Sequence, residues 1–507
     1  MAPLDLQAPR RRGVKDCHPR GIPRGFLYPY LSSGRSPLAL VFVLAGRKMP
    51  SIPKTTRRSA LHSRRFLYIC SMMKRFFFLL LTLVMAACNQ TVIPDELDGS
   101  FKPVAVQGKV DAVQPSTGLV LWSENARERN AAYGKSISLE YAYCLPCQVV
   151  TGKDKGVVRY DWSSFNKWLA DVASRKHQAV VRFRYEYPGE RNVDGKPGTT
   201  AVPAYIKALP DYKETFYENE DGPTWYADWT NSELQWFTKQ FYSDFNAVYK
   251  DDPRIAFVEV GFGHWSEYHI FGTPLQPGVN FPSAAYQKEF LTFLGGALQI
   301  PWLISIDAAE SSPVVGDASL MGLTFGLFDD SFMHKDHEGD YNENCWKAIG
   351  RGTRWQTGAC GGEISYYTAA DQKNFLNPDG MYGVTWEQAS SKYHISFMIA
   401  NDAPSGQYGT AARFKEASMA CGYHFALTGL YVNDQRTAAY ITNTGIAPIY
   451  RDAYLAVDGC RSETSLKGLL PGDTLLVYIE KPTDGHNLTI ESDYILPGQK
   501  IQFDADL

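Results

Sequence analysis

Short apolar runs separated by longer amphipathic stretches constrain this 507-residue chain more than any other feature. Eight runs stand out: GLVLW (118–122), SISLEYAYC (136–144), AVVRFRYEY (179–187), IAFVEVGF (255–262), WLISID (302–307), LTFGLFDD (323–330), GACGGEI (358–364) and ISFMIAND (395–402). They are strand-sized and rich in β-branched and aromatic residues. Between several of them the apolar spacing turns helical. WSSFNKWLADVASRK puts Phe165, Trp168, Leu169 and Val172 on one face. SELQWFTKQFYSDFNAVYK does the same with Leu234, Phe237, Phe241 and Phe245, behind the capping residue Asn231. Strands that alternate with helices predict a parallel sheet of the α/β class, and eight of them predict a closed (β/α)8 barrel. Only about a dozen residues separate GLVLW from SISLEYAYC, short for a crossover helix. A second count therefore drops GLVLW and takes CGYHFALTGLYV (421–432) as the eighth strand.

From about residue 421 the texture changes. YHFALTGLYV, TAAYITNTG, AYLAVDG, DTLLVYIEK, HNLTIES and KIQFDADL are short strands divided by Gly, Asn, Asp and Pro turns, which predicts a small all-β sandwich. The expected partition is a barrel over 117–420 and a β-sandwich over 421–507, with a polar tether at 88–116.

The N-terminal region reads differently. Met73-Lys-Arg is a basic start, FFFLLLTLVMAA is too short to span a bilayer comfortably, and Met85-Ala-Ala-Cys88 closes it. The pattern resembles the lipobox of bacterial lipoprotein signal peptides, which implies lipidation of Cys88, a signal peptide over 72–87, export, and attachment to the cell envelope through a lipid anchor. Residues 1–71 are Arg- and Pro-rich with little periodicity, and an over-called start is the expected account. Residues 1–87 hold 16 of the 51 Lys and Arg but only 2 of the 54 Asp and Glu, so residues 88–507 carry 35 basic against 52 acidic side chains, net −17. That balance argues against a nucleic-acid partner. Six cysteines follow Cys88, and an exported context permits disulfides. Cys345–Cys360 and a small Cys144–Cys147 bridge are the expected pairings, with Cys421–Cys460 a further candidate.

In a (β/α)8 barrel the active site lies at the carboxyl ends of the strands. The side chains standing there are Arg184, Tyr185 and Glu186, the segment His264 to His269 with Trp265 and Glu267, then Asp307, Asp329, Asp330, Glu363, Tyr366 and Asn401. Two carboxylates facing one glycosidic bond can hydrolyse it, one as proton donor and the other as nucleophile or base. Glu267, after the fourth strand, and Glu363, flanked by glycines in the seventh, are the candidate catalytic pair. The alternatives are a barrel salt bridge from Glu267 to Arg182 or Arg184, and a metal pair His264 and His269 completed by Asp329. Asp307, Asp329 and Asp330 are candidates for binding sugar hydroxyls, and Trp265, Trp386 and the tyrosines for stacking on sugar faces. No cofactor-binding fingerprint is evident in residues 88–507.

The placement of Glu267 and Glu363 resembles that of the clan A retaining glycoside hydrolases, with Ser266 where an Asn is usual. QPSTGLVLW, VEVGFGHWSEYH, GLFDDSF, GGEIS, HISFMIAND, CGYHFALT and ITNTGIAPIYRDAYLAV occur in an order similar to that of a family of exported bacterial proteins long labelled a domain of unknown function. The resemblance spans roughly residues 114–500 and implies a glycosidase-like barrel with a C-terminal β-sandwich. It implies a carbohydrate substrate, with algal galactans such as carrageenan or agarose one class. A glycan-binding lipoprotein without turnover is the rival reading. Oligomeric state is not legible.

Overall fold

A computed structural model describes residues 97–507 apart from 190–195, 220–221, 351, 401–403 and 405. Cys88, with the signal-peptide and lipidation assignments, and Asn401 lie outside the described residues.

Eight parallel strands close into a barrel in chain order: β1 (Gly118–Trp122), β2 (Leu139–Cys144), β3 (Gln178–Phe183), β4 (Ile255–Glu259), β5 (Trp302–Ser305), β6 (Gly326–Phe332), β7 (Cys360–Ile364) and β8 (Phe397–Ile399). β8 returns to pair with β1, Phe397 beside Gly118 and Ile399 beside Val120. GLVLW is therefore the first strand, and CGYHFALTGLYV belongs to the C-terminal sheets. The short first crossover fits because helix α1 (Ser123–Tyr133) begins at the residue after β1. The predicted amphipathic helices form as α2 (Ser163–Ser174) and α3 (Ser232–Tyr249). The Asn231 side chain caps α3 by accepting the Leu234 N–H at 3.0 Å. Phe237, Phe241 and Phe245 of α3 are fully buried, each burial contributing roughly 1.5–3 kcal/mol.

Side chains alternate across each strand with a period of two. One set, including Leu119, Leu121, Val181, Phe183, Val258, Ile304 and Leu327, packs outward against the helices. The other, including Val120, Leu139, Val180, Phe257, Leu303, Phe328, Phe397 and Ile399, fills the barrel interior. This alternation decides which polar residues reach the mouth.

Beyond the barrel, β9 (Phe425–Val432), β10 (Thr437–Asn443), β11 (Tyr454–Val457), β12 (Cys460–Arg461), β13 (Thr474–Ile479), β14 (Leu488–Glu491) and β15 (Phe503–Asp506) form two sheets. Phe425, Ile441, Val477 and Ile479 of one sheet and Leu455, Val457, Leu488 and Ile490 of the other share a single apolar core. Part of the expected tether belongs to this body. Lys102–Pro103 pairs with β9, and Gln107–Gly108 pairs with β15, covering edges that would otherwise expose unpaired backbone groups.

The expected disulfides are absent: Cys144, Cys147, Cys345, Cys360, Cys421 and Cys460 form none. Cys421 illustrates the alternative, a buried thiol that donates to the Ala417 carbonyl at 3.4 Å. Among the described residues, no helix is long and apolar enough to cross a membrane.

Candidate active site

The interior alternation carries Val120 to Trp122, Leu139 to Tyr141 and Tyr143, Val180 to Arg182, Phe257 to Glu259, Phe328 to Asp330, and Gly361 to Glu363. The interior layer is thus apolar below and charged at the carboxyl ends of the strands. Arg182 is its hub. It is fully buried, with Nε 2.7 Å from Glu259 Oε2 and Nη1 2.6 Å from Asp330 Oδ2. Nη1 also lies 3.3 Å from Glu267 Oε1 and 3.2 Å from the Trp265 carbonyl. Tyr141 donates its hydroxyl to Glu259 Oε2 at 2.9 Å, and the guanidinium lies over the Phe328 ring at 4.1 Å.

Glu267 reaches this layer from a tight loop beyond β4. Trp265, Ser266 and Tyr268 have φ of 53°, 64° and 65°, left-handed values that cost non-glycine residues about 1–3 kcal/mol each. The loop is pinned where it bends. His264 N–H donates to the His269 carbonyl at 2.9 Å, Trp265 N–H to Glu186 at 3.2 Å, and Ser266 Oγ to Phe183 at 2.9 Å. Gly261 is required at its base, because a Cβ there would lie 1.7 Å from the Ser266 oxygen. Strained, over-determined backbone of this kind is a mark of functional loops. The Glu267 side chain is 16 % exposed, which keeps it reachable from the mouth. Burial, then the Asp330 carboxylate, pushes its carboxyl well above the ordinary range, against the opposing pull of Arg182. His269 sits beside it, Nε2 3.8 Å from Glu267 Oε2 and Nδ1 2.6 Å from Asp307 Oδ2.

Glu363 lies in β7 at the same end of the barrel, 3 % exposed, and its Oε1 accepts from Trp122 Nε1 at 3.3 Å. Trp122 packs edge-on against Tyr141 and Tyr143, at 4.7 and 5.1 Å between ring centres. Arg184 lies over Tyr143 and Tyr187 at 5.0 and 4.5 Å. Glu186 is buried, its Oε1 accepting the Ala227 N–H at 3.2 Å, and burial raises its carboxyl to about 8. His264 is hydrogen-bonded through Nε2 to the Tyr226 hydroxyl at 2.8 Å, and burial lowers its imidazole to about 3, so it is neutral near pH 7. Trp265 meets Tyr187 and His269 edge-on. Tyr366 is half-buried after β7.

Three sequence candidates face elsewhere. Tyr185 points outward, its hydroxyl bonded to Thr238 Oγ1 of α3 at 2.9 Å. Asp329 also points outward, one residue out of phase with Asp330, and its carboxylate accepts from His337, Asn342, Trp346 and the Ser331 N–H. Those contacts hold its carboxyl below the usual range despite burial. Trp386 is fully buried in the core, with Nε1 donating to the Ala417 carbonyl at 2.9 Å, and is packing rather than a surface for sugar. The metal set of His264, His269 and Asp329 does not assemble: among the described residues, no three His, Cys, Asp or Glu converge to hold an ion. Glu259, Tyr141, Tyr143 and Trp122 were missed as site residues, and Arg182 was weighed only as an ion-pair partner. The available signal was the period-two phase within each strand. A separate cavity lies beneath the opposite end of the barrel, lined by Thr117, Phe257, Tyr450, Arg451 and Tyr494.

Fold and site together define an α/β barrel whose mouth holds a buried arginine ringed by carboxylates and aromatic residues. No family model matches the chain, and no curated protein does. Solved structures match the chain at low similarity. They include the catalytic domain of a β-amylase from Paenibacillus polymyxa (TM-score 0.38, 11 % identity, covering 61 % of this chain and 99 % of that one). A trimodular GH5_4-subfamily endoglucanase matches at TM-score 0.33 and 9 % identity, over 78 % of each chain. D-Psicose 3-epimerase from Clostridium cellulolyticum H10 matches at TM-score 0.31 and 10 % identity, over 59 % of this chain and 88 % of that one.

Proposed function

We propose that this protein hydrolyses glycosidic bonds of a polysaccharide or oligosaccharide, with Glu267 as general acid/base and Glu363 as nucleophile. The observation that carries the reading is Glu267, a carboxyl that burial and the Asp330 carboxylate push well above the ordinary range, at the rim of a barrel that carries a second carboxyl at the same end. In the first step the Glu267 proton goes to the leaving oxygen as Glu363 attacks the anomeric carbon, forming a glycosyl–enzyme ester. Glu267, now ionised, takes a proton from water, and the resulting hydroxide equivalent cleaves the ester with net retention. This mechanism calls for carboxyl groups about 5–5.5 Å apart. Trp122 supports Glu363 with its indole N–H. Arg184, Glu186, His264, Trp265, His269, Asp307, Asp330 and Tyr366 line or support the mouth and are proposed to contact the sugar or orient the pair. The enzyme is proposed to act outside the cytoplasm as a lipoprotein tethered through Cys88, with agarose or carrageenan among the first substrates to try.

The test screens the mature chain against plant and algal polysaccharides for reducing-end release, alongside Glu267→Gln and Glu363→Ala. Loss of cleavage in both, with azide restoring Glu363→Ala as a glycosyl azide of inverted anomeric configuration, supports the assignment. Wild-type protein that retains a glycan on an affinity gel without cleaving it would make this a binding protein. Cleavage abolished by a strong chelator would instead favour metal chemistry. Radiolabelled palmitate incorporation lost in Cys88→Ala tests the anchor.

A further inference from the structure

One guanidinium faces three carboxyl groups at the barrel mouth. Arg182 is within 2.7 Å of Glu259 and 2.6 Å of Asp330, but 3.3 Å from Glu267. Burying three anions against one cation is costly, so such a cluster keeps protons that free carboxyls would lose. The two short contacts go to Glu259 and Asp330, and the long one goes to Glu267. Glu267 Oε1 and Asp330 Oδ2 converge on the same nitrogen, Arg182 Nη1, and two carboxyl groups that share one donor disfavour being ionised together. Asp330 Oδ1 and Arg182 Nη2 are buried without a hydrogen-bond partner among the described residues. The cluster is therefore not saturated by its own members.

We propose that Asp330 is the positioning residue that keeps the proton on Glu267. Its carboxylate takes the near contact to Arg182 Nη1 and leaves Glu267 the longer one, so the guanidinium offsets a Glu267 anion only weakly. This rests on the assignment of Glu267 as the acid. The other charged or titratable groups facing Glu267 are Tyr143 from β2, Tyr367 after β7, His269 of its own loop, Asp307 after β5 and, on the proposed mechanism, Glu363 of β7. Of these, His269 is engaged by Asp307 through Nδ1. Among the described residues, Asp330 is the acidic side chain that shares Arg182 Nη1 with Glu267. Replacing it with a neutral isostere leaves Arg182 to act on Glu267 directly and supplies an amide that can donate to its ionised form. Both changes favour loss of the proton.

The experiment is a carbon-13 titration of the side-chain carboxyls in full-length mature protein, with the Glu267 signal assigned by its absence in Glu267→Gln. In Asp330→Asn the Glu267 midpoint is expected to fall by at least about 1 pH unit, tenfold in proton affinity. If hydrolysis is observed, the alkaline limb of its kcat profile moves to lower pH by the same amount. Asp330→Ser is the second variant should Asn fail to fold, judged by circular dichroism. A Glu267 midpoint that stays where it is in a folded variant overturns the inference. A shifted midpoint in a protein that cleaves no glycan upholds the pairing while removing the hydrolase reading, so the two failures are distinguishable.

Discussion

Replacing Arg182 with methionine tests the electrostatic architecture without reference to any substrate. Methionine keeps an unbranched apolar stem against Phe328, over which the guanidinium lies at 4.1 Å. It removes the contacts to Glu259 and Asp330 at 2.7 and 2.6 Å. Breaking a buried ion pair from one side costs about 3–5 kcal/mol, because the remaining charge is left uncompensated. The sign with pH follows from linkage. Burial already raises the Glu259 carboxyl to about 7, with Arg182 pulling it down. Without the guanidinium it rises further above its unfolded value. A group raised in the folded state is at its most favourable below the unfolded pKa, and that stability is lost as pH climbs through the folded one. The variant should therefore lose less at pH 5 than at pH 8, where the loss reaches about 3–5 kcal/mol. Urea unfolding of variant and wild type at the two pH values measures this, provided the slopes agree. An equal loss at both pH values, or a loss under about 1 kcal/mol at pH 8, would refute the view that these carboxylates depend on Arg182.

Asp329→Asn should cost about 1–3 kcal/mol in thermal or urea unfolding, because a buried acceptor of four donors is rearranged, while kcat of the folded fraction stays near wild type. Trp122→Phe removes the N–H that Glu363 accepts at 3.3 Å. It should lower kcat about tenfold, as expected for a hydrogen bond to a charged group, with little change in KM. Gly261→Ala sets a Cβ 1.7 Å from the Ser266 oxygen. It should abolish hydrolysis by displacing the Glu267 loop, with a measurable drop in melting temperature.

Much of the barrel was legible because its strands are short apolar runs bounded by turn residues. All eight form, including GLVLW, whose crossover is shortened by a helix that starts at the next residue. The mouth was legible only in part. Reading which residues stand at strand ends found Glu267, Asp330 and Glu363, but it also gathered Tyr185 and Asp329, which the two-residue alternation turns toward the helices. Glu259 escaped notice because it sits inside the apolar run IAFVEVGF, where a single acid reads as an interruption. Its phase, two residues after the inward-facing Phe257, carries the information. The Arg182 cluster joins residues from β3, β4 and β6, and no local pattern announces such a meeting. The upstream strands that close the C-terminal sheet are two residues each, too short to leave a periodic signature.

That small closure has a mechanical consequence. Gln107–Gly108 is zipped antiparallel to β15, so the whole barrel is strung between two segments that clasp each other. Tension applied upstream of residue 102 is borne first by the pairing of Lys102–Pro103 with β9 and by this clasp, and reaches the barrel mouth only after they have opened. Trimming the last few residues would undo the same fastening from the other side, loosening the upstream segment while leaving every barrel strand intact.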